Sequence, residues 1–505
     1  MAGPESGAGS LTDRLSEYRA RREELERGVL PLATSVDGRR FTLQASLHGL
    51  ALQAGGYVVI EGDGPTCLGQ VLTLRPDSMP APDFLSRGST VTQVRGARGE
   101  GIVLDGPNRT FHDASVRPAT HEEVDAWMVR VRPARSALTI GELLLAPGVT
   151  AALDAGGFNR HTFMCGQSGS GKTYSLGLVL EQLLMETSLR MVILDPNSDY
   201  VRLSDVRDHQ DANLAARYAS AAGDVAVWQN HPDAAQPLRL RFAEVEAAAQ
   251  AALLGLDPIL DREEHAALSA LLAAGHEDRP LITGLDELVS SANPDVRQLG
   301  LRAANLGVMN WSIWSGGQGR SLVEELEEPT SRCLVVDLGS LDSIMEQRLI
   351  AETVLSTLWR TRTRREPCLV VIDEAHNVCP RTPGDAMTAL ATDHAALIAA
   401  EGRKFGLYLL TSTQRPQKVN EEVLSQCDNL LLMRMNSEAD LDYLGDVFSF
   451  VPPGLIQRAT TFRMGETLVA GKFFSHAGYV EFGSRISHEG GGDVPTAWAD
   501  PVTNR

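Results

Sequence analysis

The segment GQSGSGKT, Gly166 to Thr173, fits the pattern G-x-x-x-x-G-K-[ST] at every fixed position. Its chemistry is phosphate binding. Gly166, Gly169 and Gly171 let the backbone N–H groups around Ser170 curl about an anion, and a helix beginning at the lysine adds the positive end of its dipole. Lys172 is placed to reach the β- and γ-phosphates, and the Thr173 hydroxyl to ligate Mg2+, so ATP with Mg2+ is the implied cofactor. A site that turns nucleotide over also needs a strand ending in carboxylates. CLVVIDEAHNVCPR, from Cys368, supplies one. Its apolar run leads into Asp373, expected to complete the Mg2+ shell, and Glu374, expected to orient and deprotonate an attacking water.

These residues need a framework that brings them together. HTFMC before the glycine loop reads as a strand and the residues after Thr173 as a helix; LRMVILDPNSDY is a second strand ending in Asp195 and Asp199. CLVVDLG at 333–339 and GLYLLTSTQ at 406–414 are further strands, which gives an α/β core over 136–475. Within it, 201–325 is rich in Ala and Leu at helical spacing and reads as a helical insertion. Residues 31–135 are short strand-like segments between Gly, Pro and Asp turns, the pattern of a small β-barrel. Residues 1–30 read as a flexible start and a short amphipathic helix with Leu11, Leu15, Tyr18 and Leu25 on one face. Residues 476–505, rich in Gly and Pro, read as a C-terminal arm.

The bulk composition sets limits. The 505 residues are 43% hydrophobic and 22% charged, enough for two or three domains with real cores. The net charge of −19 argues against a surface coated in positive charge, but a basic stripe can line a pore in an acidic body. Six cysteines without C-x-x-C spacing read as buried thiols of a cytoplasmic protein. Neither a signal peptide nor a membrane-spanning run is expected.

Two partial matches compete for the carboxylate motif. DEAH helicases share Asp373-Glu374-Ala375-His376, but they place it closer to the glycine loop. They also need a second motor domain, for which the roughly 130 residues after Asp373 are too few. His376 then reads as a local hydrogen-bonding residue. WSGGQ, Trp314 to Gln318, mimics an ABC signature, but a strand and a helix separate it from Asp373, so it reads as a glycine turn.

Read together, NRHTFMCGQSGSGKT, VILDPNSDY, VVIDEAHN and AAEGRKFGLYLLTSTQRPQKVNEEVLSQCDNLLLMRMNSEAD resemble the HerA family of the HerA/FtsK superfamily (DUF87-type). The resemblance spans about residues 136–475 and, more loosely, the barrel. It implies a RecA-like core after an N-terminal barrel, assembled as a homo-hexamer that moves duplex DNA. It also implies roles: Gln414 contacting the γ-phosphate or lytic water, Arg403 as a finger reaching a neighbouring subunit's ATP, and Arg160 acting at the same interface. The alternative for Arg403, from the residues alone, is a surface charge after a helix. Family partners are effector proteins: a NurA-type nuclease in archaea, and nuclease or sirtuin-like NADase subunits in bacterial phage defence. The competing expectation is an ATP-switched scaffold that organises an effector without processive movement.

Overall fold

The computed structural model describes Ser16, Ala20 and residues 31–491, apart from 47–50, 63, 81–92, 134–135, 209–210, 275–285 and 315–318. The helical face expected at Leu11, Leu15, Tyr18 and Leu25, and the turn residues 315–318, lie outside the described residues.

Six strands close into a barrel in the order β1-β2-β5-β4-β3-β6. They are β1 (Leu32–Ser35), β2 (Arg40–Ser46), β3 (Tyr57–Glu61), β4 (Cys67–Pro80), β5 (Gln93–Asp105) and β6 (Phe111–Pro118). Phe41, Leu43, Val58, Ile60, Val71 and Val116 fill the interior. Glycine is required at position 101, because a Cβ there would sit 2.1 Å from the Phe41 ring. Helix α1 (His121–Val131) follows, closed at its start by a capping box between Thr120 and Glu123. Trp127 of α1, Tyr57 and His476 meet at the junction of barrel and core, where the Tyr57 hydroxyl and His476 Nε2 lie 2.7 Å apart. Burial lowers the His476 pKa to about 3, so the ring is neutral there.

The core is one twelve-stranded sheet. In chain order the strands are β7 (Ala137–Leu143), β8 (Thr150–Asp154), β9 (His161–Cys165), β10 (Arg190–Asp195), β11 (Val225–Gln229), β12 (Gln236–Pro237), β13 (Cys333–Asp337), β14 (Cys368–Ile372), β15 (Leu407–Thr413), β16 (Cys427–Leu432), β17 (Glu466–Gly471) and β18 (Gly478–Phe482). Their spatial order is β12-β11-β13-β10-β14-β15-β9-β16-β17-β18-β7-β8, parallel as far as β16 and antiparallel beyond it. The central parallel strands β10, β13 and β14 are apolar runs because both faces are covered. Helix α2 (Lys172–Glu186) packs on one face; α3 (Ile344–Thr361) and α4 (Ala386–Glu401) pack on the other. The six cysteines are free and buried.

Two sequence expectations need correction. The span 201–325 is not a purely helical excursion: its VAVWQ run forms β11, which pairs in parallel with β13 and extends the sheet. Alanine-rich neighbours on both sides masked a five-residue strand. The C-terminal arm expected from 476 is equally part of the core, since β18 lies between β17 and β7. Among the described residues no helix is long and apolar enough to cross a membrane.

Candidate active site

Strand β9 is wholly buried and delivers the chain into the glycine loop. Gly169 and Gly171 hold φ values of 73° and 90°, which favour glycine. A Cβ on Gly166 would lie 2.6 Å from Ser170 Oγ and 2.8 Å from Met433 Cβ, so the loop tolerates no side chain there. Ser170 Oγ is buried without a hydrogen-bond partner among the described residues. An orphaned hydroxyl inside a loop kept bare by glycines, with a helix N-terminus behind it, fits a bound phosphate chain.

One strand, β15, separates β9 from β14, and its end feeds Ser412, Thr413 and Gln414 between the loop and the carboxylates. Lys172 Nζ donates to Asp373 Oδ1 at 2.6 Å and Ser412 Oγ at 2.9 Å, and lies 3.3 Å from Glu374 Oε1. Burial opposes the charge on Lys172, but the two carboxylates outweigh it and raise its pKa. Burial likewise pushes the Glu374 carboxyl up; His376, whose Nδ1 lies 3.2 Å from Oε2, and Lys172 reverse that and lower it. Gln414 Nε2 is 3.5 Å from Glu374 Oε1. His376 Nδ1 also lies 3.0 Å from Thr413 Oγ1, which makes it a local hydrogen-bonding residue.

The DPNSDY segment had no assigned role, and its geometry supplies one. Asp195 accepts from the backbone N–H groups of Asn197, Asp199 and Tyr200, which folds the turn. Asp199 Oδ2 then sits 3.5 Å from Thr173 Oγ1, and the Tyr200 hydroxyl donates to Asp373 Oδ2 at 3.2 Å. Burial, then the charge of Asp373, raises the Asp199 pKa to about 6. Thr173 and Asp199 thus stand together in the cleft, with Asp373 tied to the same turn through Tyr200.

Arg403 and Arg160 are not brought to this site. Arg403 follows α4 in the turn before β15, and Arg160 precedes β9, so both stand at the opposite ends of these strands from the loop. They meet on one carboxylate: Arg403 Nη1 donates to Asp428 Oδ2 at 2.9 Å, and Arg160 Nε lies 3.7 Å from it. Asp428, near the start of β16, escaped the sequence reading because an acid in SQCDN carries no motif.

The family model described as the central domain of helicase HerA matches residues 138–299, a span that includes the glycine loop and the DPNSDY turn. Over that span the chain is similar to the HerA family. It is 23% identical over 410 residues to the DNA double-strand break repair helicase HerA of Pyrococcus furiosus, covering 66% of this chain and 67% of the relative. The protein of the same description from Saccharolobus solfataricus is 22% identical over 454 residues, or 83% and 86% of the two chains. Among solved structures, VirB4 of Thermoanaerobacter pseudethanolicus aligns with a TM-score of 0.47 and 16% identity, over 70% of this chain and 98% of that one.

In this ATPase the nucleotide cleft, about 1060 Å³, takes its far wall from Ser484, His488, Glu489 and Gly491. A fully buried ion pair anchors that wall. Glu181 of α2 accepts from Arg485 Nε at 3.2 Å and from the backbone N–H groups of Ile486 and Ser487. Sequence reasoning missed these residues because nothing in GSRISHE marks it as a wall.

Proposed function

We propose that this chain is the subunit of a cytoplasmic homo-hexameric ring that couples ATP hydrolysis to movement of duplex DNA through its pore. An effector docks on the barrel: a NurA-type nuclease or a bacterial defence effector such as a sirtuin-like NADase. The position of Arg403 and Arg160 carries the ring reading. Seven residues of strand rise roughly 20 Å, so neither arginine can reach a phosphate on its own chain's loop. In a ring they suit a neighbour's ATP, where an arginine offsets charge on the transferring phosphoryl group. DNA as the track rests on the relatives in Pyrococcus furiosus and Saccharolobus solfataricus, both described as DNA double-strand break repair helicases.

Mg2+ bound by Thr173 and Asp373, with Asp199 beside them, would draw charge from the β- and γ-phosphates. The remaining chemistry belongs to the side chains. Lys172 swings on its flexible stem from the carboxylates to the phosphates. Glu374 thereby loses one of the charges that held its pKa down and becomes a better base. Its Oε1, with Gln414 Nε2 beside it, then receives the proton of the attacking water. Hydrolysis is thus coupled to occupancy.

Mixing two inactive variants tests the ring. Arg403→Ala keeps its own site but leaves its neighbour's without a finger, a loss on the order of a thousandfold. Lys172→Ala has a dead site and an intact finger. In rings formed by exchange at equal ratio, about a quarter of interfaces pair an intact site with an intact finger, so activity should return. Tagged co-purification shows whether mixed rings form. If they form and no activity returns at any ratio, Arg403 does not act in trans.

A further inference from the structure

A second cluster of ligand-type side chains lies on the far face of the sheet, away from the nucleotide cleft. Glu352 projects from the middle of α3, His394 from the middle of α4, and Glu246 stands at the start of the helix Ala247–Leu253. One ligand atom from each lies within 4.8 Å of the other two. Glu352 is completely buried, yet neither of its carboxylate oxygens has a hydrogen-bond partner among the described residues. A carboxylate in that position gains from a cation held against it. The His394 ring is the cationic group nearest to hand: Nδ1 is 3.3 Å from Glu352 Oε1 and Nε2 is 3.8 Å from Glu246 Oε2. One imidazolium facing two carboxylates still leaves the cluster a negative charge. Glu246 is free to take part, since its side chain makes no capping bond to the helix it begins.

We propose that Glu246, Glu352 and His394 bind one divalent transition-metal ion of the zinc class. A dication with a neutral imidazole and two carboxylates sums to zero charge, where a single proton on the ring leaves one negative charge. An imidazole among carboxylates suits zinc and its neighbours better than calcium or magnesium, which favour all-oxygen shells. Metal–ligand bonds of about 2.1 Å put tetrahedral ligands roughly 3.4 Å apart, so small side-chain movements close the set on an ion. Three protein ligands leave a fourth position for water. The ion would tie the segment before Ala247 to α3 and α4, and α4 runs directly into the turn carrying Arg403. Its role is a staple behind the arginine rather than a part of hydrolysis.

The test uses the full chain without nucleotide, stripped with chelator and then dialysed against micromolar Zn2+ or Co2+. The expected result is one equivalent of metal per chain by mass spectrometry of the digested protein, visible Co2+ absorption bands, and a Tm that rises with metal. His394→Gln and Glu352→Gln should each lose that equivalent and the Tm response. His394→Gln, at a half-buried position, keeps the test valid if Glu352→Gln misfolds; circular dichroism checks both. Less than a tenth of an equivalent on the wild type, or an undiminished equivalent on a folded His394→Gln variant, overturns the site. In either case the cation facing Glu352 is a proton on His394.

Discussion

Glu374 holds a left-handed backbone conformation, φ 45°, which costs a residue with a side chain about 1–2 kcal/mol. Adjacent residues on a strand point to opposite faces, so Asp373 and Glu374 could not share a cleft if β14 simply continued. The left-handed step turns both carboxylates to one side, and the Glu374 N–H donates to Asp373 Oδ1 at 2.9 Å within that turn. Glu374→Gln keeps the shape and removes the base. It should retain Mg2+·ATP binding while hydrolysis falls at least about a hundredfold; near-normal turnover would take Glu374 out of catalysis. Asp199 and Asp195 give a pH prediction. Their pKa values, about 6 and about 7 against an ordinary 3.8, are raised mainly by burial. The folded chain therefore binds more protons than the unfolded one between about pH 4 and 7, and stability falls as pH rises through that window. Asp199→Asn should flatten the fall in Tm between about pH 4 and 6 for nucleotide-free protein; an unchanged slope would show that Asp199 titrates normally. At this scale the sequence was most legible where geometry is local. The glycine loop and the Asp373–Glu374 pair announce themselves because their spacing is their function. Asp428 and Ser412 do not, because each acts only through strands brought beside it from far along the chain.

At the scale of elements, α2 works at both ends of the cleft: its first residue, Lys172, lines the glycine loop and its body anchors the wall beyond. Gly177 lies on that contact, and a Cβ there would come within 2.3 Å of Arg485 Cζ. Arg485 cannot step aside cheaply, since Nε is held by Glu181 and by Ser487 Oγ at 2.9 Å. Alanine in an exposed helix improves on glycine by about 1 kcal/mol. Here Gly177→Ala should instead destabilise by about 1–3 kcal/mol, read from the urea midpoint, because overpacking displaces a buried ion pair. A stabilised variant would show that the contact is soft. Element type was readable for β10, β13 and β14, whose apolar runs have the signature of strands buried on both faces. It was not readable for β11 or β18. A five-residue strand beside helical sequence, or in a Gly-rich tail, is defined by the partner it meets rather than by its own pattern.

For the whole molecule, the decisive observable is what DNA does to the ATPase. A translocating ring should hydrolyse ATP several-fold faster on duplex DNA, and its affinity should fall steeply with salt as phosphate contacts release counterions. If DNA leaves the rate unchanged while an effector protein alters it, the scaffold reading prevails. Whole-molecule form was legible in outline, as a barrel followed by an α/β core, because turn residues and strand texture change near residue 136. How far the core reaches was not, since long-range pairing leaves no local trace. The position of β18 illustrates this and bears on synthesis. Val480 pairs with Leu143, so a strand made long after β7 closes the gap beside it. Until Gly478–Phe482 leaves the ribosome, β7 and β17 each present an unpaired edge to other nascent chains, the condition under which strands pair wrongly. The free edge of β7 is therefore exposed throughout the making of everything that lies between it and β18.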